Sequence, residues 1–151
     1  MALCFHQTIP RGPLTEVRLE SGGNKPGSHY VSVLRAGENG EPRLTVRSSD
    51  IYYEPYAVSV YRADPDALGQ LQALAERHRM TAWADLPPDR ENMMLDGLST
   101  DLTLRYGKER FRIFYESRLP RGAADVLREF TDCLRQWAVE DRLTERYTEK
   151  R

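Results

Sequence analysis

The chain is poor in cysteine: Cys4 and Cys133 are the only two in 151 residues. One lies near the amino terminus and the other inside a helical pattern. A bridge between them stays open, but two cysteines so placed make no disulfide framework. Apolar runs are short, none approaching the roughly 20 residues of a spanning helix. The opening stretch "MALCFHQTIPRGP" has no basic segment followed by a long apolar run, so no signal peptide is read there. The resulting expectation is a cytoplasmic protein with reduced thiols and no membrane contact. Charge of one sign is also lacking. The net of -1 provides no global pull toward nucleic acid or an anionic surface.

Complete catalytic signatures are missing as well. In "ESGGNKPGSHY", Gly22 and Gly27 have the spacing of a phosphate-binding loop, with Lys25 between them. A phosphate loop needs Lys and Ser/Thr after its second glycine, and then a helix whose free amides meet the ligand. Here Ser28 and His29 follow, and the next residues alternate like a strand, so a hairpin connection is the better reading. His6, His29 and His78 form no ligand pair of helical spacing, and Cys4 with His6 supplies only two of the three or four ligands a metal requires. No G-x-S-x-G elbow or recognisable cysteine nucleophile is present. No catalytic residue, cofactor or metal is therefore assigned. The carboxylates Asp85, Asp89, Glu91, Asp96 and Asp101 keep an enzyme with acid–base chemistry as an alternative.

What is present is a well-solvated globule: 40% of the residues are apolar and 30% charged. Pro10 and Pro13 keep residues 1–12 irregular, and a single α+β domain is expected over 13–146. "LTEVRLE" sets Thr15, Val17 and Leu19 on one face; "HYVSVLR" places Val31 and Val33 together; "RLTVRS" sends Leu44 and Val46 inward; "YAVSVYRA" separates Val58 and Val60 from Ser59 and Tyr61. Asn39-Gly40 supplies the turn between the second and third strands. Four such strands on short turns argue for an antiparallel meander.

The period then changes. Asp64 before Pro65 predicts an N-cap, followed by a helix with Leu68, Leu71, Leu74, Ala75 and His78 on one stripe, ending near Arg79. Trp83 reads as an anchor for the irregular crossing that follows. "LSTDLTLRY" and "RFRIFYES" make a second hairpin around Gly107. Pro120 and Gly122 open a last helix with Val126, Leu127, Phe130, Cys133, Leu134, Trp137 and Ala138 on its apolar stripe. The remainder has helical propensity and little apolar face, so residues 147–151 are expected to fray. The predicted order is β-β-β-β-α-β-β-α, a sheet of about six strands with two helices on one face.

Two surface features are candidates for binding. Tyr52, Tyr53, Tyr56 and Tyr61 crowd one short region, with Tyr30 on a neighbouring strand. Strand alternation leaves some of them on the sheet's open face, where grouped aromatics suggest a protein partner or a second copy of the chain. The second is "RYGKERFRIFYESRLPR", with six basic residues against two acidic. Arg105, Lys108, Arg110, Arg112 and Phe114 would give a basic face with an aromatic platform, a combination used by binders of single-stranded nucleic acid. Arg118 and Arg121 flank a helix start, where free amides favour an anion. An ordinary charged strand exterior is the plainer reading.

Gly22-Gly23 after a first strand, a helix leading into Trp83, Asp96-Gly97 before a hairpin, and Pro120 and Gly122 ahead of a final helix resemble a family of small uncharacterised α+β proteins from gut Firmicutes, a domain of unknown function. The likeness would run from about Val17 to Trp137. It implies the same α+β architecture and no particular chemistry.

These observations together lead to a non-enzymatic binding module, self-associating through its open sheet face. An anion or single-stranded nucleic-acid binder using 105–121 is the first alternative, and an enzyme with carboxylates in 85–101 the second.

Overall fold

Alternation at the amino-terminal end becomes four strands: β1 (Glu16–Gly22), β2 (His29–Ala36), β3 (Pro42–Ser49) and β4 (Tyr56–Arg62). The 3.6-residue stripes become two helices, α1 (Ala67–Arg77) and α2 (Ala123–Arg135). Between the helices lie β5 (Ser99–Tyr106) and β6 (Glu109–Phe114), and the chain ends in β7 (Leu143–Glu149). The computed structural model describes Pro10 and residues 12–22, 27–51, 54–89 and 99–150.

The strands form one antiparallel sheet in the order β6-β5-β1-β2-β3-β4-β7. It has seven strands where six were expected. The difference is β7, in a region read from sequence as a helical or fraying tail. The five central β7 positions are all exposed, so no two-residue apolar period marks it. What recruits the segment is the outer edge of β4, whose unpaired N–H and C=O groups need partners. Thr144, Tyr147 and Thr148 suit an extended backbone once that edge is offered.

The hairpins form where the turn chemistry points. Gly40 has φ +83, and the turn closes with Gly37 N donating to Glu41 O at 2.7 Å. Gly22 pairs with His29 across β1 and β2, so the glycine-rich stretch does connect two strands. A strand follows it, and no helix amides are available there for a phosphate.

The start of α1 differs from expectation. Asp66 occupies the N-cap, and Asp64 sits in the turn before it, its carbonyl accepting from Ala67 N at 2.9 Å. The Asp64 carboxylate is directed elsewhere, toward Arg142 at 2.8 Å and Gln70 at 3.5 Å.

Register divides the sheet into two faces. Val17, Leu19, Leu34, Leu44, Leu102, Leu104 and Ile113 share one face and join Leu71 and Ala75 of α1 and Leu127, Phe130 and Leu134 of α2 in the core. Burying each such large side chain contributes roughly 1.5–3 kcal/mol. Trp83 belongs to the same cluster, as an anchor should. No described helix covers the other face, yet Val31, Val33 and Val58 on it are buried too. They are flanked across the ladder by Arg18, Arg47 and Glu20, whose aliphatic stems can lie over apolar neighbours while the heads stay in water.

Candidate anion-binding face

A hairpin's turn sets its register, and register sets which side chains stand side by side. The β2–β3 turn puts Arg35 opposite Arg43; the β5–β6 turn puts Arg105 opposite Arg110. Long-range pairing of β1 with β5 then joins the hairpins through Glu16, which lies opposite both Arg105 and Arg35. Arg62 of β4 extends the line beside Arg43. The row reads Arg110, Arg105, Glu16, Arg35, Arg43, Arg62 across six neighbouring strands. At about 4.8 Å per strand it spans roughly 24 Å.

Two further rows lie behind it on the same face. One holds Arg112, Thr103, Arg18, Val33, Thr45, Val60 and Glu145. The next holds Phe114, Asp101, Glu20, Val31, Arg47, Val58 and Tyr147, with an exposed aromatic on each edge strand. With Tyr56 and Glu149 at the far end, the face carries eight arginines against five carboxylates, on a chain whose net charge is -1. All eight are arginine although the chain also has Lys25, Lys108 and Lys150. Guanidinium is planar, weakly hydrated and suited to bidentate contact with oxyanions and to stacking on rings.

Charge is distributed unevenly among the rows. In the rear rows the arginines are matched: Arg112 Nε donates to Asp101 Oδ2 at 2.9 Å, Arg47 faces Glu149 at 3.4 Å and Arg18 faces Glu20 at 3.7 Å. Hydrogen bonding to Asp101, and its charge, hold the Arg112 guanidinium above its already high range, and the group lies 4.7 Å over the Phe114 ring. In the front row Arg35 lies 4.0 Å from Glu16 and Arg43 3.6 Å from Glu41, neither as close as Arg112 is to Asp101. Arg62, Arg105 and Arg110 side chains have no ion pair among the described residues. One nitrogen of Arg43, Nη1, is buried with no hydrogen-bond partner among the described residues, and Arg43 also lines an open recess of about 560 Å³ with Arg35, Glu38, Thr45, Val60 and Glu145. A buried guanidinium N–H left unpaired is costly.

At the other end of the face, His29 bridges Glu20 through Nε2 at 2.6 Å and the Tyr56 hydroxyl through Nδ1 at 2.7 Å. This chain crosses the ends of β1, β2 and β4 and holds Tyr56 against the sheet, edge-on to the imidazole.

The other sequence candidates separate. Tyr56 lies on the open face; Tyr61 turns to the helix-bearing face and packs half-buried against the core. Tyr30 shares that covered side by register and donates to Asp50 Oδ1 at 3.1 Å. Tyr52 and Tyr53 lie outside the described residues, as do Cys4, His6, Lys25, Glu91, Asp96 and Gly97. Arg105, Arg110, Arg112 and Phe114 are brought together, and Lys108 sits in the turn joining β5 to β6. Arg118 and Arg121 are exposed on the segment leading to α2, away from the row. Asp85 is exposed, Asp89 bonds through its backbone N–H to Glu116 O at 2.7 Å, and Asp101 is engaged by Arg112. Burial pushes the Cys133 thiol up, away from reactive thiolate character. Among the described residues, no three His, Cys, Asp or Glu side chains gather as metal ligands would, and no helix is long and apolar enough to cross a membrane.

Arg18, Arg35, Arg43, Arg47 and Arg62 were not singled out by sequence reasoning. A signal was there for two of them, since Arg35 and Arg43 stand symmetrically about the Asn39-Gly40 turn, as Arg105 and Arg110 do about Gly107. No protein-family model matches the chain, and no curated protein matches it.

Proposed function

We propose that this protein is a non-enzymatic anion-binding module, using the sheet face that no described helix covers. The carrying observation is the front row, in which arginine fills five of six cross-strand positions. Cross-strand like charges oppose folding. A row that keeps them, with three guanidinium groups free of ion pairs among the described residues, suits a polyanion that neutralises several at once. The recess lined by Arg35 and Arg43 supports the same reading. A symmetric contact through this face would bring the arginine rows of two copies together, which like-charge repulsion opposes. The open face therefore favours a foreign anion over a second copy of the chain.

Titration of a fluorescent polyanion at low salt tests this. Binding is expected to weaken steeply as salt rises, and to weaken further in Arg35→Gln and Arg105→Gln. Absence of binding at low salt, or equal binding by the parent and both variants, would refute it.

A further inference from the structure

Beyond the charge of the ligand, the order of the rows carries information about its kind and direction. An anion that needed only charge would be served by the front row alone. Two rows behind it, Phe114 on β6 and Tyr147 on β7 are 42% and 38% exposed, in one cross-strand line with each other. Both face the same side as the arginines. Large aromatics left in water at that fraction are placed for contact with flat apolar groups. Phe114 is already covered on one side by the Arg112 guanidinium, an arrangement that holds the ring in position and extends its stacking surface.

Phosphates spaced along a flexible chain with a planar base on each match this pattern. The distance from front row to aromatic row is four residues along a strand, about 13 Å. Phosphates on the arginines and bases turned inward over the half-buried Thr45 and Val60 fit between. A duplex does not suit it, since paired and stacked bases offer no free ring faces to Phe114 and Tyr147.

Resting on the anion-binding reading, we infer that the ligand is single-stranded nucleic acid, its backbone crossing the strands along Arg110, Arg105, Arg35, Arg43 and Arg62, and its bases stacking on Phe114 and Tyr147. The orientation is perpendicular to the strands, because that is the direction in which the five arginines are aligned, three of them (Arg62, Arg105 and Arg110) free of ion pairs among the described residues.

The test compares four probes on the whole chain: labelled oligo-deoxythymidine and oligo-uridine of about twelve nucleotides, within the range of site sizes for such faces, a duplex of that length, and inorganic polyphosphate of similar charge. Either single strand should bind more tightly than polyphosphate and duplex. Phe114→Ala should weaken the single strand by roughly 5- to 100-fold, the range for loss of one stacked base, and leave polyphosphate unchanged. Tyr147→Ala is an independent second variant on the opposite edge. Each of Arg105→Gln and Arg35→Gln should reduce the slope of log affinity against log salt by about 0.7, whereas Arg121→Gln, off the row, should not change it. If polyphosphate or duplex binds as well as the single strands, or both aromatic variants bind like the parent, this inference falls while the anion-binding reading stands. If the arginine variants leave the slope unchanged although single strands bind, the orientation falls. If no probe binds, both fall together.

Discussion

Arg142 and Asp64 form an ion pair of 2.8 Å that ties the segment entering β7 to the turn preceding α1. Arg142 Nη1 also donates to the Arg62 carbonyl at 3.3 Å, so one side chain fixes the chain where β7 meets the end of β4. The Trp137 indole N–H is directed at the same carboxylate without closing a hydrogen bond of good geometry. It is the largest influence holding the Asp64 carboxyl below its ordinary value, ahead of Arg142 and Gln70. An aspartate needed as a helix cap would have faced α1; this one serves the closure of the sheet.

Asp64→Asn is expected to lower the thermal midpoint at neutral pH. A folded-state carboxyl held below its unfolded value contributes stability that is present above the ordinary value of 3.8 and lost as pH falls through the lower folded value. Parent and variant should therefore converge on acidification below 3.8, seen by thermal melts across that window. A gap that stays constant into acid would show that the charge is not the cause.

Tyr106 offers the opposite sign. Its hydroxyl is buried without a partner among the described residues, and desolvation, aided by the Glu76 charge, pushes its pKa up to about 12. The unfolded chain ionises near 10 and the folded one does not, so stability is intact below 10 and is lost as pH climbs toward about 12. Tyr106→Phe should be neutral or slightly stabilising at pH 7, because it removes an unsatisfied group. It should also abolish part of the alkaline loss, on the order of 2 kcal/mol. Urea melts on both sides of pH 10 measure this; a variant less stable than its parent at neutral pH would mean that the hydroxyl has a partner in solution.

Two phenylalanines separate core from face. Phe130 of α2 is 1% exposed, whereas Phe114 of β6 is 42% exposed. Phe130→Ala should destabilise by about 3–5 kcal/mol. Phe114→Ala should change stability by about 1 kcal/mol or less, the scale of an exposed cation–π contact. Chemical denaturation distinguishes them; similar large losses would place Phe114 in a structural role and weaken its use as a stacking surface.

Asp101 competes with any bound anion for Arg112. The pair is partly exposed, with Arg112 at 52%, so Asp101→Asn should alter stability by only about 0.2–1 kcal/mol. It releases a guanidinium already seated over Phe114. Affinity for a polyanion should rise, with a salt slope steeper by about 0.7 for a single strand. Unchanged or weaker binding would place Arg112 outside the contact.

Much of the architecture was legible locally. The two helices, the Asn39-Gly40 and Gly107 turns and the inward sets Leu44/Val46 and Leu102/Leu104 follow from periodicity and turn chemistry, which act over a few residues. The candidate face was half legible. Arg105, Arg110, Arg112 and Phe114 share one hairpin, and alternation alone groups them. Arg35 and Arg43 are grouped by their own turn, but nothing local links the two hairpins.

By itself the sequence determined six of the seven strands and the two described helices, and which side of those strands is charged, because these depend on backbone propensity and local periodicity. Tertiary structure alone decided that Glu16 lies between Arg105 and Arg35, that Tyr61 turns to the core while Tyr56 does not, and that residues 143–149 close the sheet as a seventh strand. Each of these depends on pairing between distant segments, and the backbone groups that drive such pairing are the same in every residue but proline. Their partners are chosen only when the whole sheet is assembled.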